Sequence, residues 1–281
     1  MAVEIPLGTT STGAPRLETP ELSAAFEAGV FTLVLNRPAA RNALSDEMCQ
    51  ALARQLEWAE QAPEVKCVVL TGAGQGFCAG GDVKGMAARE RAALDLDAVI
   101  HRQRINQRAT AGRLFSMPKP TLAALPGAAA GAGMALALAC DLRIMADTAF
   151  LTTAFARVGF SGDYGGTYFL TQLIGSAKAR EFYYFSERVG AEEALRLGLT
   201  NWVCAPGDLV RRTREIARRL AAGPSVAYRY MKENLNRAMG GEVDECLDLE
   251  ATHHVHCGAT EDHREATRAF VEKREPVFKG R

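Results

Sequence analysis

Phe77-Cys78-Ala79-Gly80-Gly81-Asp82 stands between a β-rich apolar run, Cys67 to Leu70, and the start of a helical stretch. Gly72, Gly74 and Gly76 lead into it. Glycine at that density lets the main chain pass close to another group, because no Cβ stands in the way. A second stretch has the same build. Pro126-Gly127-Ala128-Ala129-Ala130-Gly131-Ala132-Gly133 lies between an apolar strand over 121–125 and a small-residue helix running to about Ala139. Small side chains leave backbone N–H groups uncovered, and a helix start adds unpaired donors at the positive end of its dipole. Two such loops side by side can aim two N–H groups at one oxygen, the layout of an oxyanion hole. Neither stretch fits the dinucleotide pattern G-x-G-x-x-G with its later acidic residue, nor a phosphate loop ending in G-K-[ST].

Outward from these loops, strands alternate with helices. Val30 to Leu35 reads as a strand ended by Asn36-Arg37-Pro38. Ser45 is a good N-cap, Asp46 and Glu47 complement the helix dipole, and Met48, Leu52, Leu56 and Ala59 recur at helical spacing, so 46–61 is predicted as an amphipathic helix. A polar, Arg-containing helix is expected over roughly 92–115, with further strands at 142–145 and 150–151. This alternation predicts an α/β fold, a spiral of ββα turns stacked around a core. After about residue 190 strand signals nearly vanish, apart from 201–204, and helices are predicted over 191–197, 209–221, 226–238, 243–257 and 261–273. The expected organisation is a mobile tail over 1–20, a spiral core over 21–200 and a mostly helical, oligomerising region over 201–281.

The 281 residues carry 33 Lys plus Arg and 33 Asp plus Glu, a formal net charge of zero. That balance weighs against a nucleic-acid surface, which needs a basic excess. The seven cysteines, at 49, 67, 78, 140, 204, 246 and 257, are odd in number and irregular in spacing, so they read as reduced thiols of a cytoplasmic protein. The N-terminus lacks the basic start and apolar run of a secretory signal. The longest apolar stretch, around 121–140, is interrupted by Pro126 and reads as a buried strand–turn–helix unit rather than a membrane span.

F-C-A-G-G-D, the P-G-A-A-A-G-A-G block, and S-G-D-Y-G-G-T after Val158-Gly159 resemble, in order and spacing, three successive motifs of the enoyl-CoA hydratase/isomerase (crotonase) superfamily. N-R-P-A-A-R-N-A-L over 36–44 resembles the family's opening motif, and the segment 270–281 its C-terminal one. The resemblance covers roughly 22–281. It implies a crotonase-like spiral with a C-terminal helical region, assembled as a homotrimer or homohexamer, acting on an acyl-CoA, with no cofactor beyond the coenzyme A of the substrate. Carried over residue by residue, it makes the backbone N–H groups of Gly81 and Ala132 the oxyanion donors and sets Ala79 against the adenine. Phe270 and Lys273 would reach a neighbouring subunit's CoA, and Arg41 and Lys84 are candidate phosphate contacts.

The proton chemistry is where this sequence departs from the family. Hydratases use two glutamates to hold a water; alignment on the glycine loops puts Ala135 and Phe155 at those positions. One acid remains in the motif, Asp163, where isomerases of the family place an aspartate, and the local pattern is most similar to isomerases of the phenylacetate-degradation type. Enolate formation followed by double-bond migration needs only this one group, acting as base and then as acid. Phe155, Phe160 and Tyr164 are expected to raise its pKa. Asp163 also fits a helix cap or an Asx turn. A hydratase or a C–C lyase of the same superfamily, or an RNA-binding relative, are the alternatives. His253-His254-Val255-His256-Cys257 reads as a helix packed at a subunit contact, not a metal site, and the arginines of 211–219 as a solvated helix face. Tyr183, Tyr184 and Phe185 read as core, and His101 as part of a polar helix flanking the site.

Overall fold

Nearly unbroken apolar runs build the larger of two sheets. A computed structural model describes residues 13–82 and 95–281. Strands β1 (Leu22–Glu27) and β2 (Val30–Leu35) form an antiparallel pair, and β2 then pairs in parallel with β3 (Cys67–Gly72). Parallel pairing continues through β5 (Thr121–Leu125), β7 (Leu142–Ala146) and β10 (Trp202–Cys204). All six residues of β3 and all five of β5 are buried, as parallel strands covered on both faces require.

The smaller sheet is interleaved with the larger one along the chain. Its order is β4 (Gly76–Cys78), β6 (Ala128–Ala130), β8 (Phe150–Thr152) and β9 (Val189–Gly190). Each of β3, β5 and β7 therefore turns a corner into β4, β6 or β8 before the chain enters a helix, which makes the coil of ββα turns. The corners are tight. A Cβ on Gly127 would lie 1.9 Å from the Gln75 carbonyl oxygen of the coil beneath, so only glycine fits between β5 and β6.

Helix α1 (Asp46–Gln61) starts where the sequence predicts, with Ser45 Oγ accepting from the Met48 N–H at 3.0 Å; Met48, Leu52, Leu56 and Ala59 are buried. Helix α2 (Leu96–Gln107) continues through a π turn over 108–112 into the short α3 (Arg113–Ser116). Helix α4 (Ala132–Ala139) is buried at every residue. Arg143 is buried beneath its C-terminal end, donating to the carbonyls of Leu138, Cys140 and Leu199 and satisfying acceptors that a helix end leaves open. Helix α5 (Gly166–Phe185) follows β8, with a break at Gly175, and a short α6 (Ala191–Arg196) precedes β10.

The remaining chain is helical: α7 (Leu209–Ala221), α8 (Ser225–Ala238), α9 (Val243–Gly258) and α10 (Glu261–Glu272). These match the predicted helices within a residue or so. On α7, Arg211 pairs with Asp208 and Glu215 and Arg218 with Glu27, the solvated face expected. His253 is buried against Tyr230, ring centroids 4.2 Å apart, with Nδ1 2.6 Å from Asn234 Oδ1. Among the described residues no three His, Cys, Asp or Glu side chains are placed to hold a metal ion, and no helix is long and apolar enough to cross a membrane.

Three readings change. Residues 13–20, expected as loose tail, lie against α1: Gln55 donates to the Pro15 carbonyl, Arg54 pairs with Glu18, and Leu17 packs on the core. Tyr184 and Phe185 are 71% and 67% exposed rather than core, because they fall on the outer face of α5's last turn. The strands β1, β4, β6 and β9 escaped the sequence reading.

One buried charge ties α8 to the spiral. Lys232 Nζ donates to the carbonyls of Leu114 (2.9 Å) and Lys119 (3.2 Å) and pairs with Asp141 Oδ2 (2.9 Å). Asp141 Oδ2 also accepts from the Thr121 N–H at 2.7 Å. Lys232→Met removes the cation and leaves these acceptors unmatched; equilibrium urea unfolding is expected to show a loss of about 3 kcal/mol.

Candidate active site

The two glycine-rich loops are brought side by side. The segment after β4 runs along residues 41–44: the Ala79 N–H donates to the Arg41 carbonyl (3.0 Å), the Leu44 N–H to the Gly80 carbonyl (2.8 Å) and the Asp82 N–H to the Leu44 carbonyl (3.2 Å). Gly81 is bridged in parallel to Leu44. In such pairing the bridged residue opposite Leu44 turns its own N–H to the other edge. On that other side lies the start of α4. A Cβ on Gly80, whose φ is +93°, would sit 3.0 Å from the Ala130 carbonyl oxygen and 3.6 Å from the Ala132 nitrogen. A Cβ on Gly133 would lie 2.4 Å from the Cys78 carbonyl oxygen. Side chains at either glycine would push helix and loop apart. Ala132 is the first residue of α4, so its N–H belongs to the set that a helix leaves unpaired.

Two residues of the 36–44 motif hold this arrangement. Asn42 is fully buried; its Nδ2 donates to the carbonyls of Ala73 (2.9 Å) and Gly76 (2.8 Å), and its Oδ1 accepts from the Arg37 N–H (2.9 Å). Arg37 in turn bonds the Ala43 carbonyl (2.7 Å), Asp82 (3.0 Å) and Glu21 (2.9 Å). The sequence reading quoted both for resemblance only.

Asp163 lies on a loop of unusual backbone. Gly162, Tyr164 and Gly165 all have positive φ, +113°, +50° and +77°. A non-glycine residue in that region is held by its surroundings. Tyr164 is held twice, its N–H donating to Gln107 Oε1 (2.6 Å) and its hydroxyl lying 3.4 Å from Cys49 Sγ. Helix α5 is capped by Gly165, without a side-chain cap, and Asp163 contributes only its carbonyl, which accepts from the Gly166 N–H at 3.0 Å. Its carboxylate is therefore not a helix cap. Oδ2 lies 3.5 Å from Gln103 Nε2, and Oδ1 is buried with no hydrogen-bond partner among the described residues. Burial pushes the Asp163 carboxyl up to about 6, since a charged carboxylate there is poorly solvated. Phe160, expected to help, is 55% exposed, so little of that burial comes from it.

The two positions where a hydratase carries acids are apolar walls. Ala135 is buried on α4, and Phe155 stacks on Tyr183, centroids 5.8 Å apart and planes 14° apart. A Cβ on Gly131 would lie 3.5 Å from the Phe155 ring, and one on Gly166 3.2 Å from the Ala135 Cβ. Asp163, Ala135, Phe155 and the start of α4 thus belong to one neighbourhood. Helix α2 reaches it through Gln103, not through His101, which is exposed.

Arg41 and Ala79 share a cleft of about 640 Å³ with Ala130, Phe150, Arg157 and Arg188. Arg188 lies over the Phe150 ring at 4.5 Å. Neither Arg157 nor Arg188 carried a sequence signal. Phe270 and Lys273 stand on and just after α10, Phe270 85% exposed, and neither lines this cleft in the single chain. Lys84 lies outside the described residues.

Residues 25–281 match the Enoyl-CoA hydratase/isomerase family. YngF of Bacillus subtilis, named for the same pair of activities, is 40% identical over 88% of this chain and 94% of its own length. The 1,2-epoxyphenylacetyl-CoA isomerase of Escherichia coli is 36% identical over 91% of this chain and 97% of its own. The crystal structure of an enoyl-CoA hydratase from Polaromonas superposes with a TM-score of 0.86 at 34% identity, over 92% of this chain and 99% of that one. With paired glycine loops, a buried acid and this breadth of match, the chain belongs to the enoyl-CoA hydratase/isomerase family.

Proposed function

We propose that the chain is an enoyl-CoA isomerase that moves a double bond along an acyl-CoA through a thioester enolate. The observation that carries this reading is the buried carboxylate of Asp163, the one acid that the described residues place beside Ala135 and Phe155, neither of which is an acid or base. A water held for addition to a double bond needs two polar partners; one carboxylate among apolar walls suits removal and return of a single proton. The name of the Escherichia coli relative favours isomerisation, while other relatives are named hydratases.

In this reading the N–H groups of Gly81 and Ala132 receive the thioester oxygen as negative charge gathers on it, each contributing about 3 kcal/mol. Alanine at 132 keeps the donor that glycine would supply. Asp163 takes a proton beside the carbonyl or one vinylogous step away and returns it two carbons along. The arginine-bearing cleft with Arg41 and Ala79 takes the nucleotide end, its guanidinium groups suited to phosphate. Lys84 and, from a neighbouring subunit, Phe270 and Lys273 complete that end. The exposed Met231, Leu235, Val255 and Val271 of the C-terminal helices support a trimer or a dimer of trimers.

Asp163→Asn is expected to lower turnover at least a thousandfold on 3-enoyl-CoA while acyl-CoA binding, read by calorimetry, stays within a few-fold. Product analysis on 3-enoyl- and 2-enoyl-CoA panels is expected to give positional isomers; a 3-hydroxyacyl product would replace this reading with hydration. The pH dependence follows from the raised carboxyl. The base form accumulates above about pH 6, so kcat/KM is expected to rise to a plateau through that value. Stability runs the other way: the folded chain holds a proton on Asp163 between the ordinary value of 3.8 and about 6 that the unfolded chain releases, so this site loses stability as pH climbs through that window. Asp163→Asn is therefore expected to unfold later than the parent at pH 7, by roughly 2 kcal/mol, with the advantage gone near pH 4.

A further inference from the structure

Two polar atoms near the 162–166 loop are buried without a hydrogen-bond partner among the described residues: Asp163 Oδ1 and the Tyr183 hydroxyl. Tyr183 comes from the far end of α5, yet its hydroxyl lies against the loop that carries Asp163. A Cβ on Gly162 would fall 3.3 Å from that oxygen, and one on Gly166 2.7 Å from it. The ring cannot easily swing away, being clasped between the two glycines and the stacked face of Phe155. A buried acceptor and a buried donor without partners each carry a penalty, and two such atoms flanking one loop call for a common explanation.

We propose that Tyr183 is the positioning residue for Asp163, its hydroxyl donating to Oδ1 when the acyl-CoA closes the site. Hydrogen bonds of this kind are often long in the empty protein and tighten in the complex. Gln103 serves Oδ2 from α2, so the carboxylate plane would be fixed by donors from two helices, with its remaining lone pairs turned to the substrate carbons. Among the described residues the Cys49 and Cys78 thiols and the Tyr164 phenol also feel the charge of this carboxylate. Tyr164 is already engaged with Cys49, and Cys78 is buried, its thiol pushed up to about 12. Burial also raises the Tyr183 phenol, which keeps its proton available for donation at every working pH.

The inference rests on the reading of Asp163 as the base, and the test separates the two. Tyr183→Phe keeps the stack on Phe155 and the fit between Gly162 and Gly166, removing only the hydroxyl. The full chain, labelled with ¹³C at aspartate side-chain carboxyls, is titrated with saturating butanoyl-CoA; the Asp163 signal is assigned by its loss in Asp163→Asn. The expected result in Tyr183→Phe is an Asp163 carboxyl titrating about one pH unit higher, because the charged form loses a donor. With it, kcat on the 3-enoyl-CoA falls about tenfold while KM stays within twofold. An unchanged titration together with a higher thermal midpoint would mark the hydroxyl as a mere buried orphan and overturn the inference. A shifted titration in Tyr183→Phe with full turnover in Asp163→Asn would uphold Tyr183 as the partner of the carboxylate and remove the base reading instead.

Discussion

The contact between the first turn of α4 and the strand β4 is the constraint from which the site follows. Gly133 has no side chain, so the helix backbone rests on the Cys78 carbonyl; any Cβ there would overlap it. Gly80 makes the same allowance for Ala130 and Ala132 from the other side. The helix can be driven this deep only because its residues are small or apolar, and because Arg143 satisfies carbonyls at its other end. Burial of the guanidinium lowers the Arg143 pKa, yet the surrounding carbonyls keep donor and acceptor matched.

A second consequence of this packing is the environment of Asp163. The loop 159–165 turns tightly before α5, with positive φ angles at Gly159, Gly162, Tyr164 and Gly165. Gln107, Cys49 and the stacked pair Phe155–Tyr183 fix it from three sides. The carboxylate ends up poorly solvated through the shape of the fold rather than through a neighbouring charge, since burial alone raises it. A shift that comes from burial responds to salt much less than one that comes from exposed charges.

Much of this architecture was legible in the chain because β2 and β3 are rich in Val and Leu, and α1 carries a capping serine and a clean apolar stripe. In the smaller sheet only β8 was; β4, β6 and β9 were not. Gly76–Cys78 is three residues long and glycine-rich at its start, and Ala128–Ala130 is all alanine; both become strands because neighbouring coils supply partners. Leu22–Glu27 has two alanines and a weak alternation. Gly81, Ala132 and Asp163 stood in the motifs, whereas Gln103, 60 residues before Asp163, reaches its carboxylate from α2 and Tyr183, 20 after it, lies against its loop from the end of α5. No local pattern marks a residue whose importance lies in a tertiary contact. Arg37 and Asn42 stood in a recognised motif, but their work of tying loops together is visible only once those loops are in place.

The alanine at the head of α4 has a bearing on how such a scaffold can change over generations. An amide proton belongs to the peptide unit and not to the side chain, so it persists under every substitution except proline, provided the local path is kept. Drift at position 132 therefore threatens shape before it threatens polarity. Positions 135, 155 and 183, by contrast, act through what their side chains are. A lineage can rewrite those three side chains while the main-chain donors at the head of α4 stay constant, which is a route by which one fold comes to serve many reactions.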